Sequence, residues 1–332
     1  SVNLFYRRLI KFLLKKYGEE LIEKFIKVLQ IINFYKCMIT VPKIHKDVKK
    51  ILAGCDEIIF TGIMQTEYEH LLYIAAKKAN KRLVYHPYNW DNPTSKTGFP
   101  QKYFDIIYPW GKQMYQSLVD VFPNVSKNFI GTPRFFGIKA RPNLELEKSN
   151  VVSFFGSQKD NPIIVKEVIT SFAKLGFKLK IRPHPHSVMK VSFFRSIENV
   201  VLDQSVVPDT AESNMRICDI KKDSNFSKNI NQEWIWENAH FIITPMSTSM
   251  LEAALRGIPS VVDLTNARQV TIAHARYFSH LSDFLIKDFV YNLYDLKQIE
   301  SRDFLSKINF NSYDIRQAAN FFCCLNPSNI KV

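Results

Sequence analysis

Two short stretches of the sequence carry side chains of the types that bind phosphate groups. The first is Ser247-Thr248-Ser249, which stands between an apolar run typical of a strand and the apolar spacing of a helix. The open backbone N–H groups and the dipole of a helix N-terminus favour an anion, by about 0.3–1 kcal/mol per charge. Glu252 follows one turn later, where a carboxylate can accept hydrogen bonds from a ribose diol. A simpler interpretation stays open, in which Ser247 or Thr248 only caps the helix and Glu252 supports its dipole.

The second stretch is Lys178 to Ser187, with the sequence KLKIRPHPHS. Its first residues predict a short strand, which two prolines stop and hold in a rigid turn. Arg182 and His184 carry N–H donors suited to phosphate oxygens. A single histidine is more often structural. This stretch therefore indicates phosphate binding only in combination with the Ser247-Thr248-Ser249 stretch that follows it in the chain.

The polar loop from His86 to Gly98, HPYNWDNPTSKTG, follows a predicted strand and carries the candidate proton acceptors. Asp91 is the first candidate for a general base, because a positioned carboxylate can take the proton of an attacking hydroxyl group. His86 is the second, because an imidazole titrates near neutral pH. The alternative is that Asp91 and Asn92 form a local turn with the backbone before the next proline.

Alternating strands and helices must hold these loops. Apolar patterns in the first half predict strands at 57–61, 81–85, 104–108 and 128–130, with helices over 66–79 and 112–121. In the second half, strands are predicted at 151–155, 178–181, 200–202 and 289–294, around the strand-turn-helix-turn-strand stretch 239–264. Helices are predicted over 162–175, 233–239, 271–285, 299–308 and 313–322. Such alternation indicates parallel sheets, whose ligands bind beyond the carboxyl ends of the strands. Gly156-Ser157 stands at one such end, where glycine permits a close approach of the backbone to a ligand.

Length and composition predict two domains. A chain of 332 residues is long enough for two domains that each bury a core. The segment 139–150 is charged, lacks aromatic residues and contains a proline, so it is predicted to be the linker. The first domain is then 1–138, with basic helices at its N-terminus, the second is 151–310, and 311–332 form a C-terminal helix and tail.

The formal net charge of +14 favours an anionic partner, such as a phosphorylated substrate, an acidic membrane surface or nucleic acid. No helix-turn-helix, zinc-finger or RNP motif occurs, and aromatic residues are not interleaved with the basic ones, so a nucleic-acid partner is not predicted. The five cysteines make an odd count without a C-x-x-C pair. This pattern argues against a zinc site or a disulfide framework and favours a reducing cytoplasm.

The first 36 residues combine apolar residues at helical spacing with recurring Lys and Arg. Because charges interrupt the apolar face and no small-residue cleavage site follows, a signal peptide is not predicted. No stretch reaches the roughly 18 apolar residues of a transmembrane helix. The segment is either a pair of packed helices with solvated lysines or a basic surface that rests on anionic lipid, at about 1 kcal/mol per Lys or Arg.

The order of the motifs resembles that of a known family. A strand followed by RPHP, then by a strand, Ser-Thr-Ser and a helix with Glu-Ala-Ala-Leu-x-Gly-x-Pro, is similar to the C-terminal nucleotide-binding domain of GT-B-fold glycosyltransferases. The likeness spans residues 151–264. It points to bacterial surface-polysaccharide transferases, namely sialyl-, polysialyl- and Kdo-transferase-like enzymes and the related CDP-glycerol glycerophosphotransferases. The run WDNPTSK also resembles one found in surface-carbohydrate transferases.

The resemblance implies an α/β protein of two Rossmann-like domains that face each other across a cleft, with the last helix crossing back to the first domain. It implies a glycosyltransferase of bacterial cell-surface polysaccharide synthesis, which moves a sugar from a CMP-, CDP- or UDP-linked donor to a glycan or lipid-linked acceptor. Such an enzyme would work in the cytoplasm, at the inner face of the membrane, without a further cofactor. Since no Asp-x-Asp run occurs, no metal is expected, and Arg182, His184 and the helix N-terminus would neutralise the leaving phosphate.

The implied roles fall on three groups of residues. The candidate catalytic residues are Asp91, His86 and His184. The candidate donor-binding residues are Gly156, Ser157, Arg182, His184, Ser247, Thr248, Ser249 and Glu252. The candidate acceptor-binding residues are Asn89, Asn92, Thr94, Ser95 and Lys96. Three alternatives stay open: a CDP-polyol phosphotransferase, a sugar-nucleotide 2-epimerase and a non-enzymatic nucleic-acid binder.

Overall fold

The computed structural model describes most of the chain from residue 42 onward. The described residues are 42–61, 67–87, 104–119, 124–129, 131–132, 135, 138, 149–157, 160–220, 233–265, 282–301 and 303–323. They fall into two compact units, one built on a three-stranded sheet and the other on a six-stranded sheet. The strands of both sheets are parallel, which confirms the predicted α/β class.

The sheet of the first unit has the order β1-β2-β3. Its strands are β1 (Glu57–Phe60), β2 (Arg82–Tyr85) and β3 (Ile106–Ile107), and its helices are α1 (Pro42–Ala53) and α2 (Glu67–Lys78). Helix α3 (Lys112–Val119) follows β3 in the chain. Edge-to-face contacts between Phe60, Tyr73 and Phe104, at 5.6–6.2 Å between ring centroids, pack α2 on the sheet. Three of the four strands predicted for the first half form here, one to three residues shorter than their apolar patterns.

The sheet of the second unit has the order β6-β5-β4-β7-β8-β9. Its strands are β4 (Val151–Phe155), β5 (Lys178–Arg182), β6 (Val200–Leu202), β7 (Ala239–Thr244), β8 (Ser260–Asp263) and β9 (Val290–Leu293). Counted from the first strand of the unit, this is the order 3-2-1-4-5-6 of dinucleotide-binding folds. The direction of winding reverses between β4 and β7. In such sheets a ligand binds in the crevice at the carboxyl ends of the strands at this switch point.

After β4, seven α-helices and one 3-10 helix are described in the chain. They are α4 (Pro162–Lys174), α5 (Val191–Arg195), α6 (Thr248–Leu255), α7 (Ser282–Leu285), α8 (Lys297–Glu300), α9 (Asp303–Ser306), α10 (Ser312–Cys323) and the 3-10 helix Ile217–Asp219. Helix α4 begins at Asn161, whose side chain accepts the N–H of Ile163, and Pro162 occupies its first turn. Both are sequence signals for a helix start.

The two faces of the six-stranded sheet differ in chemistry. One face packs against α4 and α9 through phenylalanines, with Phe172 centred 5.6 Å from Phe241 and 5.5 Å from Phe304. Burying one such side chain stabilises the fold by about 1.5–3 kcal/mol. On the opposite face, Phe155 and Ile242 pack under α6 and the turn 233–238, together with Trp236. This second face also carries Ser153 and Lys180, so polar groups lie beneath the turn.

Three element predictions are wrong. Residues 233–238 form a turn instead of the start of a helix. Side chains from the sheet hold this turn in place: Lys180 donates to the carbonyls of 234 and 237, and Ser153 donates to that of 235. In place of the single helix predicted over 299–308, the described residues form two short helices, α8 and α9. Residues 128–129 lie outside any strand, since the N–H of Asn128 turns back to Ser126, and the parallel bridge to Ile107 is made by Val125.

The last helix packs within the second unit. Helix α10 lies against α6, and Gly257, with φ +76°, meets Ser312 so closely that a Cβ there would stand 2.6 Å from the Ser312 Cβ. A crossing of the C-terminal segment to the first domain stays a prediction, as do the domain boundaries. The basic N-terminal stretch and most of the predicted linker lie outside the described residues. Within the part of the chain that is described, no helix combines the length and apolar character needed to span a membrane.

Candidate functional site

Three turns meet at the carboxyl edge of the second sheet. They follow β4 at 156–157, β5 at 183–187 and β7 at 245–247. The N–H of Gly156 donates to the Arg182 carbonyl at 2.9 Å. A Cβ on Gly156 would lie 3.0 Å from the backbone nitrogen of His184 and 3.2 Å from the Cα of Pro183. The strand order thus brings the predicted donor-binding motifs to one edge, and the glycine is needed there for backbone-to-backbone packing.

The β4 turn is closed by a carboxylate. Asp160 is buried, and its Oδ2 accepts the N–H of Ser157 at 2.6 Å. This acidic group precedes the N-terminus of α4, which disfavours an anion at that helix. A contact from Ser157 to a ligand would therefore come from its side chain, and the helix that can receive a phosphate is α6.

Arg182 ends β5 and forms an ion pair with Asp203, which directly follows β6. The Asp203 side chain is 2% exposed, and its second oxygen accepts the N–H of Ser205 at 2.8 Å. The Arg182 guanidinium also lies over the Phe155 ring, 5.7 Å from its centroid. Its charge is compensated inside the fold, so a role as phosphate ligand stays a prediction. Asp203 was not predicted, although a carboxylate directly after a strand was a signal for it.

His184 lies on the diproline turn with one ring nitrogen engaged. The backbone N–H of His186 donates to Nδ1 of His184 at 3.1 Å. An acceptor nitrogen carries no proton, so the neutral imidazole has its proton on Nε2 and can donate it to a ligand oxygen. Burial, and then the charge of the neighbouring His186, lower the pKa of His184 below its ordinary value. The imidazole is therefore neutral at pH 7 and acts as a hydrogen-bond donor.

Ser247 caps helix α6, as the simpler interpretation of the sequence predicts. Its Oγ accepts the N–H of Ser249 at 3.3 Å and lies 3.0 Å from Oγ1 of Thr244. Because Thr244 donates to the carbonyl of Pro245 at 3.1 Å, Ser247 is the donor of the bond between the two hydroxyls. The hydroxyl proton of Ser247 is thus used within the fold and is not left for a phosphate oxygen. The groups that can face a phosphate at this helix start are the half-buried side chains of Thr248 and Ser249 and the N-terminal amides.

Glu252 belongs to a charged cluster around Arg256. The Arg256 guanidinium is buried, lies 4.6 Å from the centroid of the Trp236 ring and donates to Glu233 at 2.7 Å. Glu252 Oε1 stands 3.7 Å from the same Nη2 atom. Sequence reasoning missed Arg256, although its spacing of four residues from Glu252 is that of a helical ion pair. A ribose contact from Glu252 stays a prediction, and it would have to compete with this arginine.

His86 follows β2 in the first unit. Its N–H donates to the Phe60 carbonyl at 2.8 Å, and its Nδ1 lies 3.2 Å from the Tyr108 carbonyl oxygen. A carbonyl can only accept, so Nδ1 carries the proton and Nε2 keeps its lone pair. Nε2 is buried and has no hydrogen-bond partner among the described residues. Burial lowers the pKa of His86, with the Tyr108 bond acting in the opposite direction. This is the arrangement of an oriented, neutral base.

The remaining first-domain candidates lie outside the described residues. They are Asp91, Asn89, Asn92, Thr94, Ser95 and Lys96. In the described ranges no group of three or more His, Cys, Asp or Glu is placed to hold a metal ion. The expectation of a metal-independent site stays a prediction.

No family model matches the sequence, and no curated protein matches it either. Solved structures do match. A Listeria monocytogenes protein described as a UDP-N-acetylglucosamine 2-epimerase superimposes with a TM-score of 0.50 at 14% identity, over 85% of this chain and 74% of that one. Acinetobacter baumannii MurG gives 0.48 at 14% identity, over 83% and 72%. The wall teichoic acid polymerase TagF gives 0.48 at 11% identity, over 81% and 68%.

At 11–14% sequence identity, a likeness to solved structures informs the fold alone. The Listeria likeness extends over both units of this chain. Together with the two parallel sheets, it confirms the predicted fold class of two Rossmann-like α/β domains, the GT-B fold.

Proposed function

We propose that this protein transfers a glycosyl group from a nucleotide-activated donor to a glycan or lipid-linked acceptor in bacterial cell-surface polysaccharide synthesis. The observation that carries the proposal is the strand order β6-β5-β4-β7-β8-β9, which gathers the RPHP turn, the Gly156 turn and the start of α6 at one switch point. Open α/β sheets bind their ligands there. The +14 charge supports an anionic acceptor or membrane surface at the cytoplasmic face.

The donor would be held by hydrogen-bond donors more than by charge. His184 offers Nε2–H, and the start of α6 offers amides and the hydroxyls of Thr248 and Ser249. These groups would stabilise the negative charge that develops on the nucleotide phosphate as the bond to the sugar breaks. CMP-, CDP- and UDP-linked sugars all suit such a site. A UDP-linked sugar is the first to test, because the Listeria protein with the same fold is described as acting on UDP-N-acetylglucosamine.

His86 would activate the acceptor. In this reaction the acceptor hydroxyl attacks the anomeric carbon, the bond from that carbon to the phosphate oxygen breaks, and the hydroxyl proton passes to Nε2 of His86. The Tyr108 carbonyl supports this role, since it holds the proton on Nδ1 and leaves Nε2 basic. The role requires the acceptor hydroxyl to reach Nε2, which is buried in this structure. Asp91 remains the alternative base.

A sugar-nucleotide 2-epimerase is the second candidate, favoured by the likeness to the Listeria structure. It would use the same donor turns and would need no acceptor. The two candidates therefore differ in whether turnover of the donor depends on a second substrate.

A thermal-shift panel of CMP, CDP, UDP, GDP and ADP tests the binding step. A ligand at a hundred times its Kd stabilises the native state by about 2.7 kcal/mol, which raises the Tm by several degrees. We expect a shift with at least one pyrimidine nucleotide. The matching nucleotide sugar is then incubated with and without acceptor glycans. Acceptor-dependent nucleotide release supports a transferase, and conversion of the donor alone supports an epimerase. A folded protein that responds to no nucleotide would overturn both.

A further inference from the structure

The three turns at the switch point hold little positive charge of their own. Among their described residues, 156–157, 183–187 and 245–247, only His184 and His186 can become cationic. The adjacent guanidinium of Arg182 is already paired with the buried Asp203 carboxylate. A phosphate bound between these turns would therefore obtain a counter-charge from an imidazole.

The two histidines cannot play the same part, because the turn fixes one of them. Nδ1 of His184 accepts the backbone N–H of His186, and the His184 carbonyl accepts the N–H of Ser187 at 2.8 Å. A proton added to Nδ1 would break the first of these bonds, since an N–H cannot accept. His184 is therefore held neutral and offers one donor. Burial and repulsion from His186 lower the pKa of His184, in agreement with this geometry.

Unlike His184, His186 has both ring nitrogens available for a ligand. Its side chain is exposed, its ring centroid lies 5.6 Å from that of His184, and its ring nitrogens make no hydrogen bond to any residue that the structure describes. The 3-10 helix packs beside this turn, since the N–H of Cys218 donates to the Ser187 carbonyl at 2.9 Å. The titratable groups on the surrounding described elements include the pairs Arg182–Asp203 and Arg216–Asp219, the buried Asp160, Cys218, and the exposed Lys190, which forms a β-bridge with Arg216. Both pairs are internally balanced, so an arriving phosphate is the group that changes the charge near His186.

We propose that His186 is a second phosphate-binding residue, which takes up a proton from the solvent as the donor's phosphate binds, while His184 stays neutral and donates one hydrogen bond. The proposal rests on the proposed function, because the phosphate is that of the nucleotide donor. A nearby negative charge favours the protonated imidazole, and a more highly charged phosphate favours it more. The site should therefore prefer nucleoside diphosphates, and donors linked through them, to nucleoside monophosphates.

Isothermal titration calorimetry in two buffers of different ionisation enthalpy measures the protons that bind together with UDP, CDP or CMP. For the wild-type protein near pH 7 we expect uptake of up to about one proton, larger with UDP and CDP than with CMP. By linkage, the affinity should fall as the pH rises, at most about tenfold per pH unit. Because the terminal phosphate of a free nucleotide itself titrates near about pH 6, the measurement is repeated with a UDP-linked sugar, whose phosphates are both esterified and do not titrate near pH 7.

Three variants separate the roles. His186→Gln removes the titrating group, so proton uptake and the pH dependence it causes should disappear. His186→Lys keeps a positive charge throughout this pH range, so its affinity near pH 8 should exceed that of the wild type. His184→Asn is the matched control, because its Oδ1 can accept the N–H of His186 in place of Nδ1. This control should lower the affinity and leave the proton uptake unchanged.

The possible failures are distinguishable. A folded wild-type protein that binds none of the three nucleotides would overturn the proposed function and this inference with it. Binding accompanied by unchanged proton uptake in His186→Gln would overturn the inference alone. If His186→Gln does not fold, His186→Lys decides, and a lysine variant with the wild-type pH dependence would be the contrary result.

Discussion

Replacing His86 by asparagine tests the base in the first unit without disturbing its surroundings. Asparagine can place Nδ2 where the imidazole Nδ1 stands, 3.2 Å from the Tyr108 carbonyl, and it has no counterpart of Nε2. Loss of a general base lowers turnover by about 10²–10⁴-fold, which corresponds to about 2.7–5.5 kcal/mol of transition-state stabilisation. Because the bond to Tyr108 can be kept, we expect the free energy of unfolding to fall by less than about 2 kcal/mol.

The pH dependence of the transfer rate also tests whether His86 acts in its neutral form. Burial lowers the pKa of His86 below 6.5, so the imidazole is neutral at pH 7 and can accept a proton. Transfer by the wild type should therefore be constant above about pH 6.5 and fall as the pH drops through the lowered pKa. His86→Asn should remove this acid limb together with most of the rate.

The assay is nucleotide release from the donor that the thermal-shift panel identifies, with acceptor present, over about pH 5.5 to about pH 8.5. The matched control is His86→Gln, whose amide reaches toward the Nε2 position and gives up the bond to Tyr108. It should lose as much turnover as His86→Asn and melt at a lower temperature, because an unpaired buried carbonyl costs about 1–3 kcal/mol. Near-normal turnover in a folded His86→Asn protein would refute the assignment, and Asp91→Asn would then be measured in the same way.

Three further predictions concern the second unit. Gly156→Ala should destabilise the protein by about 1–3 kcal/mol, because the added Cβ contacts the RPHP turn, and it should weaken nucleotide binding. The control is Gly176→Ala, where φ is +88° and no atom lies within 4 Å; it should cost about 1–2 kcal/mol and leave binding unchanged. Denaturant melts and calorimetry on both variants measure the two effects. Asp203→Asn should lower stability by about 1–3 kcal/mol and, because it frees the charge of Arg182, should tighten nucleotide binding; weaker binding at equal foldedness would contradict a phosphate role for Arg182. Glu252→Gln should abolish any preference for CDP over 2′-deoxy-CDP if its carboxylate binds the ribose, and an unchanged ratio of the two Kd values would leave it as a partner of Arg256 alone.

Local signals predicted the strands and helix starts of the second unit well. The bounds of β4 and β6 are those of their apolar runs. For the buried strand β4 the reason is that a parallel strand covered on both faces needs apolar residues at successive positions, whereas β6 lies at the edge of the sheet and leaves Val201 exposed. The cap of α6 by Ser247 could also be predicted from the local sequence, since a serine directly before an apolar helix can accept an N–H that the helix leaves unpaired. These features depend on neighbours in sequence.

The wrong predictions depend on distant contacts. The turn 233–238 has the apolar and aromatic content of a helix, yet Lys180, 54 residues from Trp234, takes the Trp234 carbonyl. Ser153, 82 residues from Ile235, takes the Ile235 carbonyl. The Trp234 carbonyl also accepts the N–H of Glu237 at 3.3 Å, so the side chains from the sheet hold the turn in place alongside its own backbone hydrogen bonds. No window of sequence around the turn contains this information.

The candidate site also combines features that local sequence predicts with features that depend on distant contacts. The RPHP turn, Gly156 and the start of α6 could be predicted as a group, because an alternating pattern places strand ends at one edge. The charge balance could not be predicted, since the pairing of Arg182 with Asp203 requires β6 to lie beside β5. The tautomer of His86 likewise depends on the Tyr108 carbonyl, 22 residues away.

The charge of the whole chain and the charge of the donor turns lead to different expectations. The formal charge of +14 would suggest that phosphate is held by lysines and arginines. Next to the described turns, however, Arg182 is balanced by Asp203. A phosphate placed there would meet N–H dipoles and imidazoles at contact distance, which salt screens little, whereas attraction to a basic surface decays over a Debye length of about 8–10 Å. We therefore infer that donor binding responds to pH more than to ionic strength. The excess of basic residues outside these turns is then available for an anionic acceptor or membrane surface, whose binding salt should weaken.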